Sequence, residues 1–337
     1  TPVRIVSGSN TQDITVNTGG WVGTASYTAD GTEMKVYGNI VDFRCDDNRA
    51  NLTAIDLSHN TELENLYCIG NQLTTLDVSH NRWLYRLYCS ANRLTTLDVS
   101  NNTKLKELNC SGNRLTTIDV SHNTKLKELY CGGNRLTTLD VSHNTQLEKL
   151  YCAGNNFSTQ ALDDIYCSLP DRTGTTYGEI FPLIHASDPN HATVLATNKH
   201  NAILKSWTVR YAQNATYIPA TTGTYTCPQL NTSRYITLTV KKDSAIKLDF
   251  KAATNGTPIR IVSGGRARDI TVGTSLYGST YFTAYGTEMK IYGDLTGFYC
   301  SGNRGKITAL DPSHNTQLKW LSCSDNNLTS LDLSHNT

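Results

Sequence analysis

The chain has 337 residues, a formal net charge of +1, and only six Phe and two Met. This balance supplies no overall field for nucleic acid or an anionic membrane, and no apolar run approaches the ~20 residues that span a bilayer. So few large apolar side chains suit a stack of repeats, whose core is a thin stripe, better than a compact globule of this length.

In chain order, residues 1–44 read as a β-rich cap. Val3–Val6, Asp13–Val16 and Met34–Tyr37 alternate apolar and polar residues and are separated by glycine turns. A cap is needed because the end of a stack exposes apolar side chains. Residues 45–157 then repeat with a period of 21. One copy runs from Leu63 through Leu66, Cys68, Asn71, Leu73, Leu76 and Val78 to Asn81, and later copies begin at Leu84, Leu105, Leu126 and Leu147. Leu66 and Cys68 alternate with Asn65, Tyr67 and Ile69, so one side of a short strand is buried, and Leu76 and Val78 read the same way. Burying each large side chain contributes roughly 1.5–3 kcal/mol. A single coil has nothing to bury them against, so coils must stack at ~4.8 Å as a parallel sheet.

Two ladders follow from the period. Asn71, Asn92, Asn113, Asn134 and Asn155 form a structural row whose amides can satisfy turning backbone. Cys68, Cys89, Cys110, Cys131 and Cys152 form the other. Neighbouring thiols would lie one coil apart, further than the Cβ separation of ~3.8 Å that a disulfide needs, so they read as free, buried, small apolar groups. No C-x-x-C occurs, which leaves no signal for a zinc ribbon or redox pair.

The run from Leu115 to Asn134, with L-x-x-L-x-C-x-x-N spacing, resembles the internalin-type leucine-rich repeats of bacterial surface proteins, in particular the internalin J kind, in which cysteine replaces a leucine of a 21-residue repeat. The likeness is strong over residues 45–157 and returns over 300–337. It implies an α/β-type leucine-rich-repeat solenoid with its parallel sheet on the concave face. It also implies an exported adhesion or host-interaction protein at the surface of a Gram-negative, Bacteroides-type bacterium. The L-P-x-T-G anchor motif is absent from the sequence, so the mode of attachment is left open.

Residues 158–211 read as an α/β plug on the last coil, with helices at Thr159–Tyr166 and His191–Trp207 and strands at Gly178–Phe181 and Thr208–Tyr211. Residues 212–233, rich in Thr, Asn and Pro, read as a linker. The opening pattern then recurs. Pro258–Gly264 matches Pro2–Gly8, Gly286–Gly293 matches Gly31–Gly38, and Phe298–Cys300 matches Phe43–Cys45. Residues 234–299 are therefore a second β-rich cap and 300–337 the start of a second array. Tyr235–Val240 and Ala245–Phe250 read as strands ahead of the Pro258–Gly264 match, and equivalents are expected upstream of Thr1.

Binding is expected on the outward positions of the concave strands. One column holds Tyr67, Tyr88, Asn109, Tyr130 and Tyr151; the next holds Asn65, Arg86, Glu107, Glu128 and Lys149; a third, mostly small, holds Ile69, Ser90, Ser111, Gly132 and Ala153. Tyrosine offers wide contact area at low entropy cost and is enriched in binding hot spots, although stacked tyrosines also simply stiffen a sheet. The expected ligand residues are Tyr67, Arg86, Tyr88, Glu107, Asn109, Glu128, Tyr130, Lys149 and Tyr151. The expected partner is a protein or glycan, host-derived in the internalin reading. A spacer or self-assembling surface protein is the alternative. The column Asp56, Asp77, Asp98, Asp119 and Asp140 fits turn hydrogen bonds better than calcium, since the G-G-x-G-x-D pattern is missing. His59, His80, His122 and His143 read as solvated turn residues. His185, Asp188, His191 and His200 lie close together without a hydrolase or phosphate-loop motif, so no catalytic, metal or cofactor role is expected. Export would allow Cys167 and Cys227 to pair as a disulfide, and the sequence leaves that pairing open.

Overall fold

The computed structural model describes residues 2–16, 26–254, 256–276 and 280–336. Residues 17–25 of the expected first cap, residues 277–279 of the second, and residues 1, 255 and 337 lie outside that set. β1 (Pro2–Ser7) and β2 (Asn10–Thr15) form a hairpin, and β1 also pairs antiparallel with β3 (Lys35–Tyr37), giving a three-stranded sheet in the order β2-β1-β3. The chain then enters a different sheet at β4 (Asp42–Arg44) and winds through β5 (Asn65–Tyr67), β6 (Arg86–Tyr88), β7 (Glu107–Asn109), β8 (Glu128–Tyr130) and β9 (Lys149–Tyr151). Each strand pairs in parallel with the next, and Leu66, Leu87, Leu108, Leu129 and Leu150 fall on one line.

That line and the cysteine row beside it are buried side chains of one continuous core, closed from the far side by Leu73, Leu76 and Val78 and their repeats. The far side is not a second sheet. The segments holding Leu76 and Val78 carry no strand, although both side chains are buried. Their backbone is held only in places, as where Arg93 N–H donates to Leu73 O at 2.9 Å. The alternating pattern is read correctly as burial there but not as a ladder. After each cysteine the chain turns inward through a left-handed residue, glycine at Gly70, Gly112, Gly133 and Gly154.

Asn92 shows how the turns are satisfied. Its Oδ1 accepts from Leu73 N–H at 3.0 Å, and its Nδ2 donates to Cys68 O and Cys89 O at 2.9 and 3.1 Å. One amide thus joins two coils, and the same bonds recur at Asn113, Asn134 and Asn155. The buried thiols are free, and burial pushes those of Cys110 and Cys152 up to about 12.

The sheet continues past the coils. Ser158 caps α1 (Thr159–Ser168) by accepting from Ala161 N–H at 3.1 Å. β10 (Gly178–Leu183) then pairs parallel with β9, and after α2 (His191–Leu195) and α3 (His200–Ile203), β11 (Trp207–Tyr211) completes an eight-stranded sheet. The single helix expected over residues 191–207 is two short helices. Thr197 Oγ1 donates to Val194 O at 2.6 Å, and Asn198 N–H leaves the helix to reach Asp163 Oδ1 at 2.8 Å. Such side-chain bonds compete with helix propagation. Cys167 and Cys227 form a disulfide across 60 residues, tying α1 to the segment after β11. Closing a loop of that length stabilises by about 4 kcal/mol in the chain-entropy account.

The second unit has its own core. It begins with β12 (Tyr235–Val240) and β13 (Ala245–Ala252), followed by β14 (Thr257–Ser263), β15 (Arg266–Val272), β16 (Thr280–Thr283), β17 (Glu288–Tyr292), β18 (Leu295–Tyr299), β19 (Ile307–Asp311) and β20 (Trp320–Ser322). β12 and β13 sit in different sheets, ordered β15-β14-β17-β12-β19 and β16-β13-β18-β20.

Candidate functional site

The concave sheet aligns the outward side chains because its strands stay in register. Tyr67, Tyr88, Asn109, Tyr130 and Tyr151 are consecutive partners down one column, and Asn65, Arg86, Glu107, Glu128 and Lys149 down the next. The first column is half-buried throughout. Asn109 divides it into two aromatic groups. In the first, the rings of Tyr67 and Tyr88 meet edge-on with centroids 5.1 Å apart. In the second, Tyr130 stacks on Tyr151 at 4.5 Å, and Tyr151 stacks on Phe181 of β10 at 4.1 Å.

Each group is locked to a carboxylate. Tyr88 donates its hydroxyl to Glu107 Oε2 at 2.5 Å, while Arg86 Nε holds Glu107 Oε1 at 3.0 Å. Tyr130 donates to Glu128 Oε2 at 2.5 Å, and Lys149 Nζ lies 3.4 Å from Glu128 Oε1. Burial, and then the adjacent carboxylates, push both phenols well above the usual tyrosine range, so they act as fixed donors. Asn109 is occupied differently, its Oδ1 accepting from Ser111 N–H at 3.2 Å. The face is thus a set of rings and paired charges whose rotamers are already fixed, the arrangement that lowers the ordering cost of binding.

All nine expected ligand residues lie on this one surface, and sequence reasoning missed both of its ends. Arg44 of β4 stands over the Tyr67 ring at 4.5 Å, and Phe181 extends the second stack. Continuing the column back through Phe43-Arg44-Cys45 reveals the first. The second depends on β10 pairing with β9, which no spacing foretells.

The other candidates do not converge. The aspartate column serves turns: Asp56, Asp77, Asp98, Asp119 and Asp140 each accept from the N–H of the serine two residues on, at 2.9 Å. The turn histidine Nδ1 atoms meet the preceding serine hydroxyls, as for His59 at 3.0 Å. His185 contacts Ser187, His191 contacts the Tyr211 hydroxyl, and Asp188 accepts from Asn190 N–H. Among the described residues no three His, Cys, Asp or Glu side chains are grouped so as to hold a metal.

Two family profiles match this part of the chain, one described as leucine-rich repeats in two copies over residues 124–166 and one as a leucine-rich repeat over residues 104–124. The coils are leucine-rich repeats. No curated protein matches the sequence. Among solved structures the chain is similar to the functional domain of InlJ from Listeria monocytogenes, which is described as including a cysteine ladder, at 23% identity and a TM-score of 0.34. That similarity covers 89% of this chain and 56% of the Listeria chain. A leucine-rich-repeat protein from Leptospira interrogans is similar at 26% identity and a TM-score of 0.37, covering 39% of this chain and 36% of its own. The internalin InlF from Listeria monocytogenes is similar at 16% identity and a TM-score of 0.36, covering 58% and 72%. No helix among the described residues is long and apolar enough to cross a membrane.

Proposed function

We propose that this protein is an exported bacterial adhesion or host-interaction protein that binds a protein or glycan on the concave sheet of its leucine-rich repeats and is not an enzyme. The observation that carries the reading is the pair of aromatic groups, each braced by a Tyr–Glu hydrogen bond of 2.5 Å and by a charge on the same carboxylate. Such rings also stiffen the sheet, and being half-open to solvent beside fixed charges they offer a partner contact area as well. The Cys167–Cys227 disulfide supports export, since such bonds persist in oxidising compartments. Placement on the outer surface of a Gram-negative cell belongs to the same proposal.

The test uses the full chain and a panel of immobilised extracellular-matrix proteins and glycans. Wild type is expected to bind at least one member, and Tyr88→Ala/Tyr130→Ala to weaken that binding about tenfold or more, the loss typical of hot-spot residues. Because Tyr130 also stacks on Tyr151, the charge-reversal pair Arg86→Glu/Lys149→Glu serves as a second variant that keeps the rings. Unchanged affinity in both variants, with unchanged melting temperature, would overturn the concave-face assignment. The spacer reading predicts instead that light scattering grows with concentration while the panel stays unbound.

A further inference from the structure

The two units carry similar cap sequences with different strand complements. In the second unit, β12 lies between β17 and β19, and β13 between β16 and β18. In the first unit the equivalents of β17 and β18 are β3 and β4, and among the described residues each is the last strand of its sheet. The residues around them lose burial together. Met34 is 39% exposed where Met289 is 0% exposed, and Val41 is 48% exposed where Thr296 is 6% exposed. Ile40, Phe43, Cys45, Leu52 and Ile55 are only partly buried, whereas Leu295, Phe298, Cys300, Ile307 and Leu310 are core. Residues 52–56 carry no strand, although the equivalent Ile307–Asp311 is β19.

A clamp is also in place. Asn303 Oδ1 accepts from Lys247 N–H of β13 at 2.7 Å, and its Nδ2 donates to Lys247 O at 3.0 Å and Cys300 O at 2.7 Å. The equivalent Asn48 makes the same local bond, donating to Cys45 O at 2.8 Å, yet it is exposed, with no described strand where β13 would run.

We propose that the outer edges of β3 and β4 form a strand-addition site for two consecutive strands of β12–β13 chemistry, the first adding antiparallel to β3 and the second antiparallel to β4, as β12 adds to β17 and β13 to β18, with the second joined to β1 as β13 is joined to β14. The occupant alternates Ile, Leu, Val or Phe with polar residues on both strands, as Ile236, Leu238 and Val240 do on β12 and Ile246, Leu248 and Phe250 on β13. Its inward Phe would meet Phe43 as Phe250 meets Phe298, with centroids 5.9 Å apart. Its backbone would enter the Asn48 clamp. Open edges beside exposed apolar groups template this kind of pairing. The proposal is independent of what the concave face binds.

The experiment extends the full chain by placing a copy of residues 232–256 ahead of Thr1, which reproduces the Gly256-Thr257-Pro258 junction. Amide hydrogen exchange is then followed over residues 35–56, with residues 290–311 as internal reference. The extension is expected to slow exchange over 35–56 by about tenfold or more, towards the reference, because paired edges open less often. Unchanged exchange over 35–56, with the reference native, overturns the proposal. An extension with Asp in place of the copied Ile236, Leu238 and Phe250 is expected to give no slowing, and equal slowing would also overturn it. If the unextended chain shows slowing that grows with concentration, a second copy fills the edges and this choice of occupant is wrong.

Discussion

The first and second caps set nearly one sequence in two surroundings, and the difference shows which strands are made locally and which need a neighbour. Hairpin β14–β15 and hairpin β1–β2 form in both units, each fastened by an Arg–Asp pair, Arg4 to Asp13 and Arg260 to Asp269. Among the described residues, β19 exists only where β12 lies beside it. Residues 52–56 and 307–311 read alike, Leu-Thr-Ala-Ile-Asp against Ile-Thr-Ala-Leu-Asp, yet only the second is a strand. Tertiary pairing decides the state, and intrinsic preference does not.

The largest expected contrast lies at the paired phenylalanines. Phe298→Ala opens a cavity in a filled core and should cost about 3–5 kcal/mol of local stability, while Phe43→Ala should cost well under half of that. Region-resolved hydrogen exchange in rising denaturant measures each separately, which a single melting curve of a two-unit chain cannot do. Equal losses would show that the first cap is as well packed as the second. Next, Asn303→Ala strands the Lys247 backbone groups and should cost about 1–3 kcal/mol, against a few tenths for Asn48→Ala. Equal costs in the same exchange experiment would remove the clamp from the contrast.

A smaller effect is chemical. Cys45 and Cys323 are partly exposed and Cys300 is buried. Alkylation of the native chain with iodoacetamide, mapped by mass spectrometry, should modify Cys45 and Cys323 first and leave Cys300 largely untouched. Reactivity stays slow at neutral pH everywhere, because burial pushes the thiols of Cys45 and Cys300 alike up to about 12 and little thiolate forms. Labelling of Cys300 as fast as Cys45 would contradict the burial difference. The smallest effect is at the exposed ion pairs. Arg4→Ala and Arg260→Ala should leave the exchange of both caps within scatter, because water screens such pairs, and a loss in only one cap would show that the hairpins are not equivalent after all.

Much of this was legible in the sequence for a physical reason. A period of 21 with fixed Leu and Cys positions leaves one way to bury the stripe, and that fixes the parallel sheet, its register and the outward columns. The pairing of Cys167 with Cys227 was open because two residues 60 apart show no proximity in sequence. The far side of each coil misled for a different reason: alternation reports which side chains are buried, and says nothing of whether a backbone partner stands alongside. Helices α2 and α3 broke where Thr197 and Asn198 found side-chain bonds elsewhere. On the concave face, the columns were readable, while the locks that Glu107 and Glu128 place on Tyr88 and Tyr130 needed coordinates.

Native-state footprinting of the repeat region reads thiols by iodoacetamide and tyrosine rings by hydroxyl-radical oxidation, which reports exposure whatever the ionisation of the phenol, each mapped by mass spectrometry. A spine of inward sulfur with aromatic rings turned to solvent predicts that Cys89, Cys110, Cys131 and Cys152 stay unmodified while Tyr67, Tyr88, Tyr130 and Tyr151 take label, and that a bound partner from the panel suppresses the tyrosine signal alone. Labelled thiols beside silent tyrosines, or tyrosine labelling indifferent to the partner, would contradict it.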